Sequence, residues 1–82
     1  MRLQELLVDI EVLRIVGDTS TEVTDIQFDS RRAGEGCLFV AQEGTAADGH
    51  VYIEQCVAKG AVAIVLEKEE YIKDDGVCYI LV

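Results

Sequence analysis

Cys37-Leu38-Phe39-Val40-Ala41 and Ala61-Val62-Ala63-Ile64-Val65-Leu66 are two continuous apolar runs, and the segment between them decides the fold. A strand exposed to water on one face alternates apolar and polar residues, so an unbroken run of this length reads as a strand covered on both faces. Between the runs, residues 49–59 place Ile53, Cys56 and Val57 on one face of a helix. Gly60 stands where a helix C-cap is expected, and Asp48 lies near the N-terminus, where a carboxylate suits the helix dipole. Strand, helix, strand is a βαβ unit, whose two strands run parallel.

Working outward, Val77-Cys78-Tyr79-Ile80-Leu81-Val82 is a third apolar run, predicted to join the same sheet. Upstream, Val12-Leu13-Arg14-Ile15-Val16 and Val23-Thr24-Asp25-Ile26-Gln27-Phe28 flank a Gly17-Asp18-Thr19-Ser20 turn and read as two half-buried strands. In the second, Ile26 and Phe28 are expected to share one face, leaving Asp29 and Ser30 at the strand's end. Leu3, Leu6 and Leu7 fall at helical spacing, so residues 2–9 read as a short amphipathic helix. The expected fold class is α/β: a small three-layer-like domain with a mostly parallel or mixed sheet, one βαβ crossover and a short N-terminal helix. Residues 1–82 form one domain, and the chain ending on so strand-like a segment is read as a larger protein continuing beyond Val82.

Seven Lys plus Arg against sixteen Asp plus Glu give a net charge of −9. Such a surface repels a polyphosphate backbone, so no nucleic acid partner is expected. A membrane-spanning helix needs roughly 18 consecutive apolar residues, and no segment approaches that length. The N-terminus lacks the long apolar region of a secretory signal. No membrane partner is therefore expected, and the cytoplasm is the expected location. Cys37, Cys56 and Cys78 are odd in number, widely spaced and embedded in apolar runs. They read as buried core thiols rather than a disulfide framework or a zinc site.

Two segments have the residue types to bind a ligand. Phe28-Asp29-Ser30-Arg31-Arg32 ends a strand. Its Asp and Ser can tie their own turn, or the Ser hydroxyl and nearby backbone N–H groups can capture an anion while the adjacent arginines supply positive potential. Glu43-Gly44-Thr45-Ala46-Ala47-Asp48-Gly49-His50 is the loop at the carboxyl end of a strand, where ligands of open α/β sheets tend to sit. Gly44 to Gly49 has Walker spacing, but His50-Val51 follows where Lys-Ser/Thr must reach phosphates and magnesium, so no ATP site is encoded here. His50, the only histidine, reads as a capping or packing residue, and no nucleophile stands beside a base.

Phe28-Asp29-Ser30-Arg31, Gly36-x-Leu38-Phe39-Val40-Ala41, Gly44, Asp48-Gly49-His50-x-Tyr52-Ile53 and Gly60-Ala61-x-Ala63-Ile64-Val65, in that order and spacing, resemble the N-terminal domain of the Mur ligases. The leading helix with Leu6-Leu7 is more similar to the MurE type than to the MurF type, which often carries a Leu-Gly-Gly absent here. The resemblance implies a domain that holds the UDP part of UDP-N-acetylmuramoyl-L-alanyl-D-glutamate in an ATP-dependent ligase adding the third amino acid of the peptidoglycan peptide. It implies substrate contacts at Phe28, Ser30, Thr45, Ala46 and Ala47, with Asp29 and Arg31 adjacent. Phe28 departs from the aliphatic residue common at that place. ATP and Mg2+, and the catalytic residues, are implied to belong to the chain's own later ATP-binding and C-terminal domains, with none bound or supplied by these 82 residues. Two alternatives remain at this point: a MurF-type domain, and a protein-interaction module docking a partner through its acidic surface and C-terminal strand edge.

Overall fold

A computed structural model describes residues 1–43 and 48–82. Among these described residues five strands form one sheet: β1 (Arg14–Val16), β2 (Ile26–Gln27), β3 (Leu38–Val40), β4 (Ala63–Leu66) and β5 (Cys78–Leu81), in spatial order β1-β5-β4-β3-β2. β2, β3, β4 and β5 are mutually parallel neighbours, while β1 pairs antiparallel with β5 through Ile15↔Ile80. The expected strand–helix–strand unit is present: β3 and β4 are in register at Phe39↔Ile64. They are joined by a 3-10 turn (Gly49–Tyr52) running into helix α2 (Ile53–Ala58).

The apolar runs are continuous because both sheet faces are covered. Phe39, Ile64, Leu66, Tyr79 and Leu81 pack with Ile53 and Cys56 of α2 in one core. Their strand neighbours Leu38, Ala63, Cys78 and Ile80 pack on the opposite face with Leu3 and Val23, and with Leu6 and Leu7 at the margin. Successive strand residues point to opposite faces, so alternate residues enter alternate cores. All three cysteines are buried and unpaired, as expected.

The N-terminal helix, α1 (Leu3–Leu6), is one turn rather than the eight residues expected. No side chain caps it, and its first N–H groups are satisfied from outside: Leu3 N–H donates to Thr21 O and Gln4 N–H to Thr19 O, both at 2.9 Å. A single turn gives one hydrogen bond for several fixed dihedrals, so packing of Leu3 sustains it rather than helix propensity. The predicted strand 23–28 shrinks to β2, an edge strand. Ile26 and Phe28 are 38% and 66% exposed instead of half-buried. They border an apolar groove of about 290 Å³ with Leu6, Leu7, Ile10, Leu38, Val40 and Val65, because α1 is too short to cover that corner of the sheet.

The C-terminal strand is not an edge. β5 lies between β1 and β4 and is hydrogen-bonded on both sides. This removes the basis for a partner adding to that strand. Helix α2 ends in a Schellman motif, with Gly60 N–H donating to Val57 O and Ala61 N–H to Cys56 O, both at 3.0 Å. Gly60 has φ +105°, and a Cβ there would fall 2.8 Å from Glu35 Cα. The helix end is therefore pressed against the segment that follows β2.

Candidate functional site

β2 and β3 are adjacent and parallel, so the residues leaving their carboxyl ends meet on one side of the sheet. Phe28, Asp29 and Ser30 follow β2, and Gln42 follows β3 by two residues. Together with Phe39, Gly49 and Tyr52 they line a cavity of about 300 Å³. This is the position at which open α/β sheets hold ligands. Three aromatic residues, Phe28, Phe39 and Tyr52, line the cavity beside the polar Ser30 and Gln42. Flat rings suit a nucleobase, and the polar groups can bond a sugar or phosphate oxygen.

Gly49 is required at this wall. Its N–H donates to Gln42 O at 2.8 Å, and a Cβ would lie 2.9 Å from Gln42 O and 3.0 Å from Gln42 N. The two backbones approach closely only because that side chain is missing.

Asp29 caps the 3-10 turn Ser30–Arg32. Its Oδ1 accepts from Arg31 N–H at 3.0 Å and from Arg31 Nε at 3.1 Å, while Oδ2 accepts from Arg31 Nη2 at 2.9 Å. The guanidinium hydrogen bonds, then the backbone bond, lower the Asp29 carboxyl to about 2. Arg31 is thus paired with its own neighbour at the surface. Among the described residues the Ser30 hydroxyl and the Gln42 amide have no side-chain or backbone partner. The Ser30 carbonyl accepts from Lys59 Nζ at 3.1 Å.

His50, next in the chain after Gly49, is fully buried. Its Nε2 accepts from Glu67 N–H at 3.0 Å, so Nδ1 carries the proton and donates to Asp48 Oδ1 at 2.6 Å. Asp48 also accepts from His50 N–H at 3.0 Å and from Lys68 Nζ. Those bonds, led by the one from Lys68, hold its carboxyl well below the usual carboxylate range. These residues do not fit an ATP site: the side chain standing where a Walker lysine must reach is enclosed, with both ring nitrogens engaged. Of the two roles expected for His50, capping or packing, the structure shows packing, and the cap is Asp48.

Of the sequence-predicted residues, Phe28, Asp29 and Ser30 meet at the cavity, and Arg31 sits beside it on Asp29. Thr45, Ala46 and Ala47 lie outside the described residues. Reading the sequence missed Gln42, Gly49 and Tyr52 as cavity residues. Gly49 and Tyr52 belong to a quoted motif, but nothing in their spacing separates a cavity wall from a helix start.

A model of the Mur ligase family, catalytic domain, matches residues 22–81. The chain belongs to the Mur ligase family. It is 43% identical over 82 residues to the UDP-N-acetylmuramoyl-L-alanyl-D-glutamate–2,6-diaminopimelate ligase of Bacteroides fragilis, covering 100% of this chain and 17% of that protein. It is 47% identical over 68 residues to the ligase of the same name from Parabacteroides distasonis, covering 83% and 14%. In structure it is similar to MurF from Acinetobacter baumannii, with a TM-score of 0.62 and 30% identity over 73% of this chain and 13% of that one. The chain therefore spans less than a fifth of the length of the relatives it matches.

Proposed function

We propose that residues 1–82 are the UDP-substrate-binding domain of a longer cytoplasmic ligase, which adds 2,6-diaminopimelate to UDP-N-acetylmuramoyl-L-alanyl-D-glutamate at the expense of ATP. The carrying observation is the meeting of Phe28 and Ser30 with Gln42, Gly49 and Tyr52 at the carboxyl ends of two parallel strands. The names of the similar ligases supply the substrate. Phe28 offers a ring face to uracil, and the Ser30 hydroxyl a hydrogen bond to a diphosphate or sugar oxygen. Thr45, Ala46 and Ala47, between Gln42 and Gly49 in the chain, belong to the same proposal. The family's ATP and Mg2+, and the groups that activate the glutamate carboxylate, fall to later domains. This domain's contribution is to hold one reactant in a fixed geometry.

The test is Ser30→Ala in the natural full-length chain. A hydrogen bond to a charged oxygen is worth about 1.5–3 kcal/mol, so the KM for the UDP substrate should rise roughly tenfold to a hundredfold. ATP binding and the melting temperature should stay nearly unchanged. An unchanged KM with a lowered melting temperature returns Ser30 to a turn residue. The likeness to MurF structures favours a second reading, in which the substrate already carries the third amino acid. Turnover with UDP-muramoyl dipeptide supports the first reading, and turnover with tripeptide the second.

A further inference from the structure

We propose that Lys59 is a positioning residue for the cavity, holding the Ser30 main chain so that the Ser30 hydroxyl stands at the cavity wall. The inference rests on the nucleotide-binding reading above. Lys59 is the C-cap of α2, and its Nζ reaches across to donate to the Ser30 carbonyl at 3.1 Å. Its backbone is fixed with respect to that turn by two further relationships. Gly36 N–H donates to Gly60 O at 2.9 Å, and Gly60 lies so close to Glu35 that a Cβ would meet Glu35 Cα at 2.8 Å. The helix end and the segment following β2 are thus one unit, with the lysine side chain as its bridge to Ser30. Arg31 is occupied by Asp29. No carboxylate lies within ion-pair distance of Lys59 among the described residues, so the Ser30 carbonyl is the partner its ammonium finds there.

The 3-10 turn Ser30–Arg32 is closed on one side by the Asp29–Arg31 cap, which leaves the Ser30 carbonyl itself unclamped. Its backbone–backbone bonds are Arg32 N–H to Asp29 O at 2.9 Å and Ala33 N–H to Ser30 O at 3.3 Å, the latter sharing its acceptor with Lys59. Tethering that carbonyl limits rotation of the peptide plane next to the hydroxyl, which lowers the ordering cost when a ligand binds.

The experiment is calorimetric titration of UDP into the natural full-length protein, as wild type, Lys59→Met, Lys59→Arg, Ser30→Ala and the Ser30→Ala/Lys59→Met double variant. Lys59→Met should weaken UDP binding roughly three- to tenfold, and Lys59→Arg, which keeps a donor, should stay within about twofold of wild type. In the Ser30→Ala background Lys59→Met should add almost nothing, because the group it positions is gone. Equal weakening in both backgrounds overturns the inference and makes Lys59 a direct ligand contact. Weakening by Ser30→Ala with none by Lys59→Met also overturns it, leaving Lys59 without a role at the cavity. If Ser30→Ala leaves UDP affinity untouched, the nucleotide reading itself fails and the role of Lys59 falls with it.

Discussion

Asp29 and Arg31 form a closed pair two residues apart, the carboxylate accepting one backbone and two guanidinium hydrogen bonds. An isolated surface ion pair contributes little to stability, so its importance is local: it shapes the turn that carries Ser30. Arg31 holds the Asp29 carboxyl at about 2 against an ordinary 3.8. A carboxyl lowered in the folded state contributes stability that is complete above its ordinary value and is lost as pH falls through its folded value. The cap should therefore persist on acidification through pH 4 and open towards pH 2. Carbon-detected NMR of Asp29 should show a midpoint near 2, with the Arg31 amide shift following the same curve. In Arg31→Ala the midpoint should move up, but only part of the way to 3.8, because the backbone N–H still donates.

His50 should matter to folding rather than to chemistry. His50→Ala removes a fully buried ring and leaves the Glu67 N–H without its acceptor. A cavity plus an unsatisfied donor costs about 2–4 kcal/mol, read as a lower urea midpoint. A loss of activity with an unchanged urea midpoint would contradict this and give the imidazole a chemical role.

Gly60 is held by conformation and by space. Gly60→Ala imposes φ +105° on a residue with a Cβ and drives that Cβ to 2.8 Å from Glu35 Cα. The expected loss is about 1–3 kcal/mol. Gly34→Ala, where nothing lies within 4 Å of the new Cβ, should stay within about 0.5 kcal/mol of wild type. Thermal melts of the two variants side by side check the contrast; equal losses would mean the close approach to Glu35 is not a constraint.

The three thiols should be inert in the folded chain. Burial first, and then the neighbouring Cys37, push the Cys56 thiol up to about 11, and burial raises Cys78 as well. Cys37 is fully enclosed. A thiolate is the reactive form, so a disulfide reagent at pH 8 should label none of the three until denaturant is added. Rapid labelling of one thiol in the native protein would show that a core element opens readily.

The sequence alone determined the strands at 37–41, 61–66 and 77–82, the crossover helix with its Gly60 stop, and the buried state of the cysteines. Each follows from local periodicity or composition, which survives in one dimension: a strand covered on both faces must be apolar at every position, and a helix must repeat its apolar face every three or four residues. It also placed Phe28, Asp29 and Ser30 at a strand's end. Long-range pairing decided the rest. The position of β5 between β1 and β4 depends on which strands find one another, and no local pattern encodes that order. Which partner a basic side chain finds is a matter of tertiary placement: Arg31 pairs with Asp29, while Lys59, 29 residues away, reaches Ser30. Gln42, Gly49 and Tyr52 become a cavity wall only when β2 and β3 lie side by side, because a pocket is a relation between separated segments and exists only after the sheet has formed.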